Sequence, residues 1–327
     1  MTNPVRWGIL STASIGEKRV IPAIRKSSNG IVAAVASRTP EQAQAFAAPL
    51  QIPVAYGTYE DLIAAPDIDA IYIPVPNSEH AKWSIRCAEA GKPTLCEKPL
   101  ASDADEAARM VAAFAERGIL FAEAFMYRFH PQHQRVKALM AMGAIGDPHV
   151  INATFSFPVA SEDNIRLRKD LAGGALMDVG CYCVNVMRFL TGEEPEKAAA
   201  CARFGQRSGV DEVIAGVLRF PSGIVGHFDA SLRSQRTHRY EVRGSEGRLE
   251  VPEAFVNYNA DTVIRHWRGE SYQEYVIPDA DHYQLMVEDF ADALLNGRPP
   301  AFPPTDAIAN MRVLDRLIAS ARHAEEA

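Results

Sequence analysis

What this sequence has little of narrows its function first. Cysteine is sparse, with Cys87, Cys96, Cys181, Cys183 and Cys201 the five in 327 residues. Only Cys181-x-Cys183 is a close pair, and no second pair or neighbouring histidine completes a zinc site, so no metal is expected. An odd count, with no apolar signal segment at the N-terminus, fits reduced thiols in the cytoplasm. Long apolar runs are missing as well: nothing approaches the roughly 20 residues a membrane span requires. Positive charge is not in excess. The chain has 34 basic and 41 acidic residues, a net charge of −7, which argues against a general nucleic-acid or anionic-membrane surface. A local basic pocket for a phosphorylated ligand stays open. No internal repeat or low-complexity tail is present.

What is there reads as a soluble globular protein with room for two domains, at 47% hydrophobic and 23% charged residues. Up to about Ala124, short apolar strands alternate with helical patterns. Strands are expected at Val5–Leu10, Ile31–Ala36, Ala70–Pro74, Pro93–Cys96 and Ile119–Ala122. The intervening helices are Ile15–Lys26, Glu41–Ala48, Thr58–Ala64, Glu79–Ala90 and Ala104–Arg117. Continuous apolar strands in strand–helix alternation predict a doubly wound parallel sheet of Rossmann type over residues 1–124. Beyond it, helices are expected at Gln132–Met142 and Ala175–Leu190, followed by period-two strands from Ala199 to Ile277 and two closing helices, His282–Asn296 and Thr305–Ala324. The whole is an α/β fold, with residues 125–327 forming an α/β domain on a large, open, mainly antiparallel sheet for substrate binding and oligomerisation.

The first strand runs into Gly8-Ile-Leu-Ser11-Thr12-Ala13-Ser14-Ile15-Gly16. A dinucleotide turn needs small residues where the backbone meets a pyrophosphate at a helix N-terminus. The strict G-x-G-x-x-G is absent, but its spacing falls on Ser11, Ala13 and Gly16, all small. The second strand ends Ser37-Arg38 with no carboxylate to bind a ribose 2′-hydroxyl. A hydroxyl and a guanidinium there suit a 2′-phosphate, so NADP is expected ahead of NAD. The loop after the fourth strand, Pro76-Asn77-x-x-His80, is a further cofactor contact. Asn77 reads equally as a helix cap, and His80 reads as a packed residue rather than a catalyst.

Glu97-Lys98-Pro99 ends an apolar strand, and Asp178-Val-Gly-Cys-Tyr182 lies on a helix further along. Together they offer a cation, a carboxylate and a phenol. A phenol of pKa about 10 is a poor base at neutral pH. A neighbouring ammonium and a cationic nicotinamide favour the phenolate, which gives Lys98 its reason to be present. Lys98 also suits donation to the reacting oxygen, and Glu97 suits orienting Lys98 or contacting the nicotinamide amide. Spaced four apart on an α-helix, Asp178 and Tyr182 would share a face. Pro99 limits the local backbone and permits a cis peptide before it.

These motifs, with Gly173-Gly174-Ala175-Leu176-x-Asp178-x-Gly180-x-Tyr182, resemble the Gfo/Idh/MocA oxidoreductases over essentially the whole chain. The run Phe125-Met-Tyr-Arg128-Phe-His-Pro131 is similar to the branch of NADP-dependent D-xylose 1-dehydrogenases, dihydrodiol dehydrogenases and glucose–fructose oxidoreductases. The resemblance implies a substrate held between two domains, with sheet faces pairing subunits into a homodimer or higher homo-oligomer. It puts the catalytic lysine on Lys98, the acid/base on Tyr182 and the upstream aspartate on Asp178. Asn185 stands where the inositol dehydrogenase branch carries a second aspartate, which argues against that mechanism. Arg128 is assigned to the cofactor side. Lys98, Arg166, Asp178 and Tyr182 are assigned to substrate binding, with Phe155, Phe157 and Asn164 as weaker candidates; Arg166 and Tyr240 suit substrate hydroxyls but read at least equally as structural residues. The expected activity is oxidation of an aldose such as D-xylose at C1 to a lactone. The alternatives are trans-dihydrodiol oxidation, small-carbonyl reduction, or a non-catalytic NADP-binding regulator.

Overall fold

The structure, a computed structural model, describes residues 3–258 and 260–326. It divides into two compact units, Met1–Met126 with His282–Ile308, and Tyr127–Asp281 with Ala309–Ala327. In the first, β1 (Val5–Leu10), β2 (Gly30–Ala36), β3 (Val54–Tyr56), β4 (Ala70–Ile73), β5 (Thr94–Glu97) and β6 (Phe121–Ala124) form one sheet in the order β3-β2-β1-β4-β5-β6. Every pairing in it is parallel. Strand β4 is buried at all four positions, as a strand covered on both faces must be. Between the strands run α1 (Ile21–Lys26), α2 (Pro40–Ala47), α3 (Tyr59–Ala64), α4 (His80–Glu89) and α5 (Ala104–Ala115). Thr39, Thr58 and Asp103 cap α2, α3 and α5 through side-chain oxygens, so local polar chemistry fixes where these helices begin. The strand order reverses between β1 and β4, and a doubly wound sheet holds ligands outside the carboxyl ends of the strands at that point.

The second unit carries α6 (Pro131–Ala141), β7 (Pro148–Ser156), α7 (Cys181–Thr191), β8 (Lys197–Phe204), β9 (Asp211–Arg219), β10 (Val225–Ser231), β11 (Thr237–Gly244), β12 (Gly247–Val251), β13 (Thr262–Arg268) and β14 (Ser271–Ile277). Its eight strands run in the order β14-β13-β12-β11-β7-β10-β9-β8. Neighbours are antiparallel except β7 and β10, which pair in parallel. Alternation of buried and exposed residues along β9 and β11 leaves one face for the core, and α7 lies against β7 and β10. No described helix is long and apolar enough to cross a membrane.

Three features depart from the sequence reading. The segment 282–308 belongs to the first unit, not to a second domain of 125–327: in α8 (His282–Asn296) the Phe290 ring lies 5.2 Å from Trp7 of β1, and the Glu288 carbonyl accepts from Asn29 Nδ2 at 2.9 Å. The last helix, α9 (Pro304–Glu326), begins there and continues into the second unit. Strands β3 and β7 were not expected at all. Finally, two predicted α-helices begin as π-helix, Gly16–Val20 ahead of α1 and Leu176–Gly180 ahead of α7.

Candidate active site

In the first unit, the carboxyl ends of β1, β2, β4 and β5 gather the residues picked out in the sequence. Ser11 is buried just past β1 with φ at +154°, a conformation that strains any residue but glycine. Its hydroxyl supports that geometry: it donates to the Pro74 carbonyl at 3.2 Å and accepts from the Ala13 N–H at 3.2 Å. The turn at the start of β1's helix is thereby tied to the loop after β4, across the point where strand order reverses. Thr12, Ala13 and Ile15 are half-buried along this turn. At the end of β2, Ser37 is buried and its hydroxyl turns to Gln42 Oε1 at 3.2 Å. Of the Ser37-Arg38 pair only Arg38 is exposed.

After β4, residues Asn77–Glu79 form a single 3-10 turn leading into α4, with Pro76 and Glu79 at the two N-cap positions and no side-chain cap bond from either. His80 is corrected as a cofactor contact. It is fully buried, with Nδ1 3.0 Å from the Pro99 carbonyl and Nε2 2.9 Å from the Val75 carbonyl, and therefore braces the two loops against each other. Burial pushes its pKa down to about 4, outweighing the pull of those carbonyls.

Glu97 Oε1 accepts from the Tyr72 hydroxyl at 2.6 Å, and Oε2 accepts from the Lys98 N–H at 3.3 Å. Tyr72 is fully buried, and burial with the adjacent Glu97 carboxylate holds its phenol well above the ordinary range. Lys98 itself is half-buried and its peptide bond to Pro99 is cis, the isomer that the proline permits. Beyond it the Leu100 N–H donates to Glu123 Oε1 at 3.0 Å. Tyr72 and Glu123 are supports that sequence reasoning missed. The signal for Glu123 was an acid inside the otherwise apolar strand Phe121–Ala124.

In the second unit the π-helical turn Leu176–Gly180 alters the relation between Asp178 and Tyr182. Its hydrogen bonds span five residues, as in the Cys181 N–H bond to the Leu176 carbonyl, so the α-helical shared face expected from a spacing of four does not apply there. Asp178 instead faces Arg166, whose Nε donates to Asp178 Oδ2 at 2.6 Å. Asp178 and burial act in opposite directions on Arg166, and Asp178 prevails, raising its pKa; Tyr182 adds to the rise. Arg166 also lies 5.5 Å over the Phe157 ring, and Asn164 Oδ1 accepts its N–H at 3.0 Å.

Tyr182 is buried among aromatic rings, with centroids 5.2 Å from Phe155, 5.4 Å from Phe255 and 5.6 Å from Tyr127. Behind it the Tyr127 hydroxyl donates to Asn185 Oδ1 at 2.6 Å, and Asn185 Nδ2 reaches Asn310 Oδ1 at 3.5 Å. Asn185 is thus part of a buried scaffold. Tyr240 is corrected as a candidate for substrate hydroxyls: it is buried, with its own hydroxyl 3.1 Å from His133 Nδ1. Arg128 is buried in the 3-10 turn Met126–Phe129. Phe255 and Asn310 had no sequence signal.

Residues 5–125 match the oxidoreductase family with an NAD-binding Rossmann fold, and residues 133–250 match the GFO/IDH/MocA C-terminal domain. A D-xylose 1-dehydrogenase (NADP(+)) of Haloferax volcanii is 39% identical over 317 residues, covering 96% of this chain and 97% of that protein. A trans-1,2-dihydrobenzene-1,2-diol dehydrogenase of Xenopus laevis is 35% identical, covering 76% of this chain and 75% of its own length. Among solved structures, a 3-ketoreductase from Actinomadura kijaniata in complex with NADP and TDP-benzene superposes with a TM-score of 0.93 at 31% identity, covering 97% of this chain and 98% of that one. A parallel six-stranded sheet and a large mixed sheet agree with the fold of that solved structure. The chain therefore belongs to the Gfo/Idh/MocA family of nicotinamide-dependent oxidoreductases.

Proposed function

We propose that this protein is an NADP-dependent sugar dehydrogenase that oxidises an aldose such as D-xylose at C1 to the lactone. The observation that carries the reading is the grouping of Asp178, Arg166 and Tyr182 around one π-helical turn, with polar groups converging beside an aromatic wall. The nucleotide end fits NADP. Exposed Arg38 stands at the end of β2, where the residues Ala36-Ser37-Arg38-Thr39 include no carboxylate to repel a 2′-phosphate. Ser11, Thr12, Ala13, Ile15, Pro76 and Asn77 would line the dinucleotide, with Glu97 and Arg128 toward its nicotinamide end. When bound, NADP supplies the hydride acceptor.

This chain's own groups manage the proton and the orientation. The Lys98 ammonium donates to the C1 oxygen and holds it, while Tyr182 Oη takes the hydroxyl proton as the C–H bond at the same carbon breaks. Arg166 and Asp178 fix each other and present hydrogen-bonding groups to neighbouring hydroxyls. Exposed apolar residues Val217, Val225, Tyr272 and Val276 on β9, β10 and β14 support assembly as a homodimer through the large sheet. We place the enzyme in the cytoplasm, on the reduced-thiol reading.

The test is NADP reduction, followed by absorbance, against a panel of aldoses, polyols and dihydrodiols. Aldoses should respond with NADP far better than with NAD, and Lys98→Ala or Tyr182→Phe should cut turnover by about 10²–10⁴ while NADP still binds. Wild-type turnover in either variant would refute the assignment. A second reading, oxidation of a trans-dihydrodiol, is favoured by the rings of Phe155 and Phe157, and the same panel separates it. Silence across the panel with NADP bound would favour small-carbonyl reduction or a regulator.

A further inference from the structure

We propose that Asp211 is a positioning residue for the reaction, its buried carboxylate fixing the glycine turn and π-helical segment that carry Asp178 and Tyr182. The inference rests on the assignment of those two residues to the chemistry. Asp211 opens β9 and is only 3% exposed. Its Oδ2 accepts from the N–H of Leu176 at 2.6 Å. The first N–H groups of a helix have no acceptor within it. Here no side chain at Ala175 caps them, and a carboxylate from the neighbouring sheet does so instead.

The other oxygen accounts for one glycine and the Arg166 carbonyl for its neighbour. A Cβ on residue 174 would lie 2.2 Å from Asp211 Oδ1, and Gly174 has φ at +122°. A Cβ on residue 173 would lie 2.4 Å from the Arg166 carbonyl. That carbonyl accepts the Gly174 N–H at 2.8 Å, and the Arg168 carbonyl accepts the Gly173 N–H at 3.0 Å. Gly173-Gly174 is therefore clamped between the backbone of Arg166–Arg168 and the Asp211 carboxylate. The N–H of Asp178 bonds the Gly174 carbonyl at 3.0 Å, so the clamp reaches directly to the residue that holds Arg166.

Of the groups facing Asp211, the helical segment offers backbone N–H donors, β8 offers the apolar Phe204, and α9 offers the Arg322 guanidinium, which favours the carboxylate. Burial nevertheless pushes its pKa up to about 7. Geometry gives both oxygens a part: Oδ2 takes the Leu176 N–H, and Oδ1 fills the space a Cβ on residue 174 would need.

The experiment compares Asp211→Ala, Asp211→Asn and Tyr182→Phe by steady-state kinetics with NADP and the preferred aldose, by NADP titration, and by amide hydrogen exchange over residues 174–182. Asp211→Ala should lower kcat at least tenfold, leave NADP affinity within twofold, and speed exchange at residues 175–180 at least tenfold. Asp211→Asn keeps one accepting oxygen and should fall between Asp211→Ala and the parent on both measures. Should Asp211→Ala fail to fold, a lowered kcat and faster exchange in Asp211→Asn carry the inference, and parental values of both overturn it. Unchanged exchange or unchanged kcat in Asp211→Ala overturns it, as does Asp211→Asn no better than Asp211→Ala. Parental turnover in Tyr182→Phe instead removes the underlying site assignment, and with it the catalytic role of Asp211, whatever exchange shows.

Discussion

Arg166 Nε lies 2.6 Å from Asp178 Oδ2, joining a 3-10 turn to a π-helical one across 12 positions of sequence. The same residue's carbonyl takes the N–H of Gly174, so one arginine secures both the start and the middle of the segment that leads to Tyr182. A guanidinium does this because its donors are fixed in a plane, whereas an ammonium is a point charge on a flexible stem.

Arg166→Lys is expected to lower kcat/KM by roughly tenfold or more, in line with the ~1.5–3 kcal/mol of a hydrogen bond to a charged group. The side chain is 39% exposed, so folding stability should move by less than about 1 kcal/mol. Steady-state kinetics alongside thermal melts check both halves, and an unchanged kcat/KM would count against the role given to this pair.

The proposed NADP reading assigns the cofactor preference to Arg38. Arg38→Ala should weaken NADP binding by about tenfold or more and leave NAD binding nearly unchanged, since only the 2′-phosphate loses a charged partner. Arg38→Asp should invert the preference. Fluorescence titration with both dinucleotides measures the ratio, and a ratio that stays constant would place 2′-phosphate recognition elsewhere.

His80 makes the first unit sensitive to acid. Its pKa is about 4 in the folded chain and about 6.5 when unfolded, so between those values the unfolded chain binds more protons. The stability it contributes is complete above about pH 6.5 and is lost as pH falls toward about 4, to a total of roughly 3 kcal/mol. Groups around it act in both directions: the Lys98 ammonium disfavours its protonation, and the carbonyls of Val75, Pro99 and Leu100 favour it. Urea unfolding of the parent and His80→Gln at pH 7.5 and pH 5 should show the steeper acid loss in the parent. Parallel losses would mean another group titrates.

Tyr127 supports the site from behind. Tyr127→Phe keeps the ring against Tyr182 but leaves the Asn185 carbonyl without its 2.6 Å donor. The expected cost is about 1–3 kcal/mol of stability, read as a lower denaturant midpoint at constant m-value, with kcat held within a few-fold. A collapse of kcat at unchanged stability would make Tyr127 a participant.

The nucleotide-binding half was legible because its strands are buried on both faces and so are continuously apolar, and because Ser11, Ala13 and Gly16 are small where the turn needs them. Strand β3 escaped because its three residues are all half-buried. Strand β7 escaped because it opens with Pro148 and carries Asn152 and Thr154, yet it sits at the centre of its sheet. The motif residues Lys98, Asp178 and Tyr182 were legible from spacing, but the partner of Asp178 was not: Arg166 is brought to it by a folded loop that leaves no periodic trace. The π turn was hidden too, since one extra residue per turn looks like ordinary helix in a hydrophobic pattern. Asp211 and Glu123 drew no reading from the sequence, because a lone acid shows its burial only once its strand has neighbours.

The excursion of the chain back to the first unit at residue 282 has a practical consequence for anyone building chimaeras. A fragment cut at residue 124 strips Phe290 from Trp7 and leaves a naked indole on a half-finished nucleotide-binding module. Grafting the second unit from one relative onto another requires splices near residues 126, 281 and 308, and a single junction leaves the first unit without its returning segment.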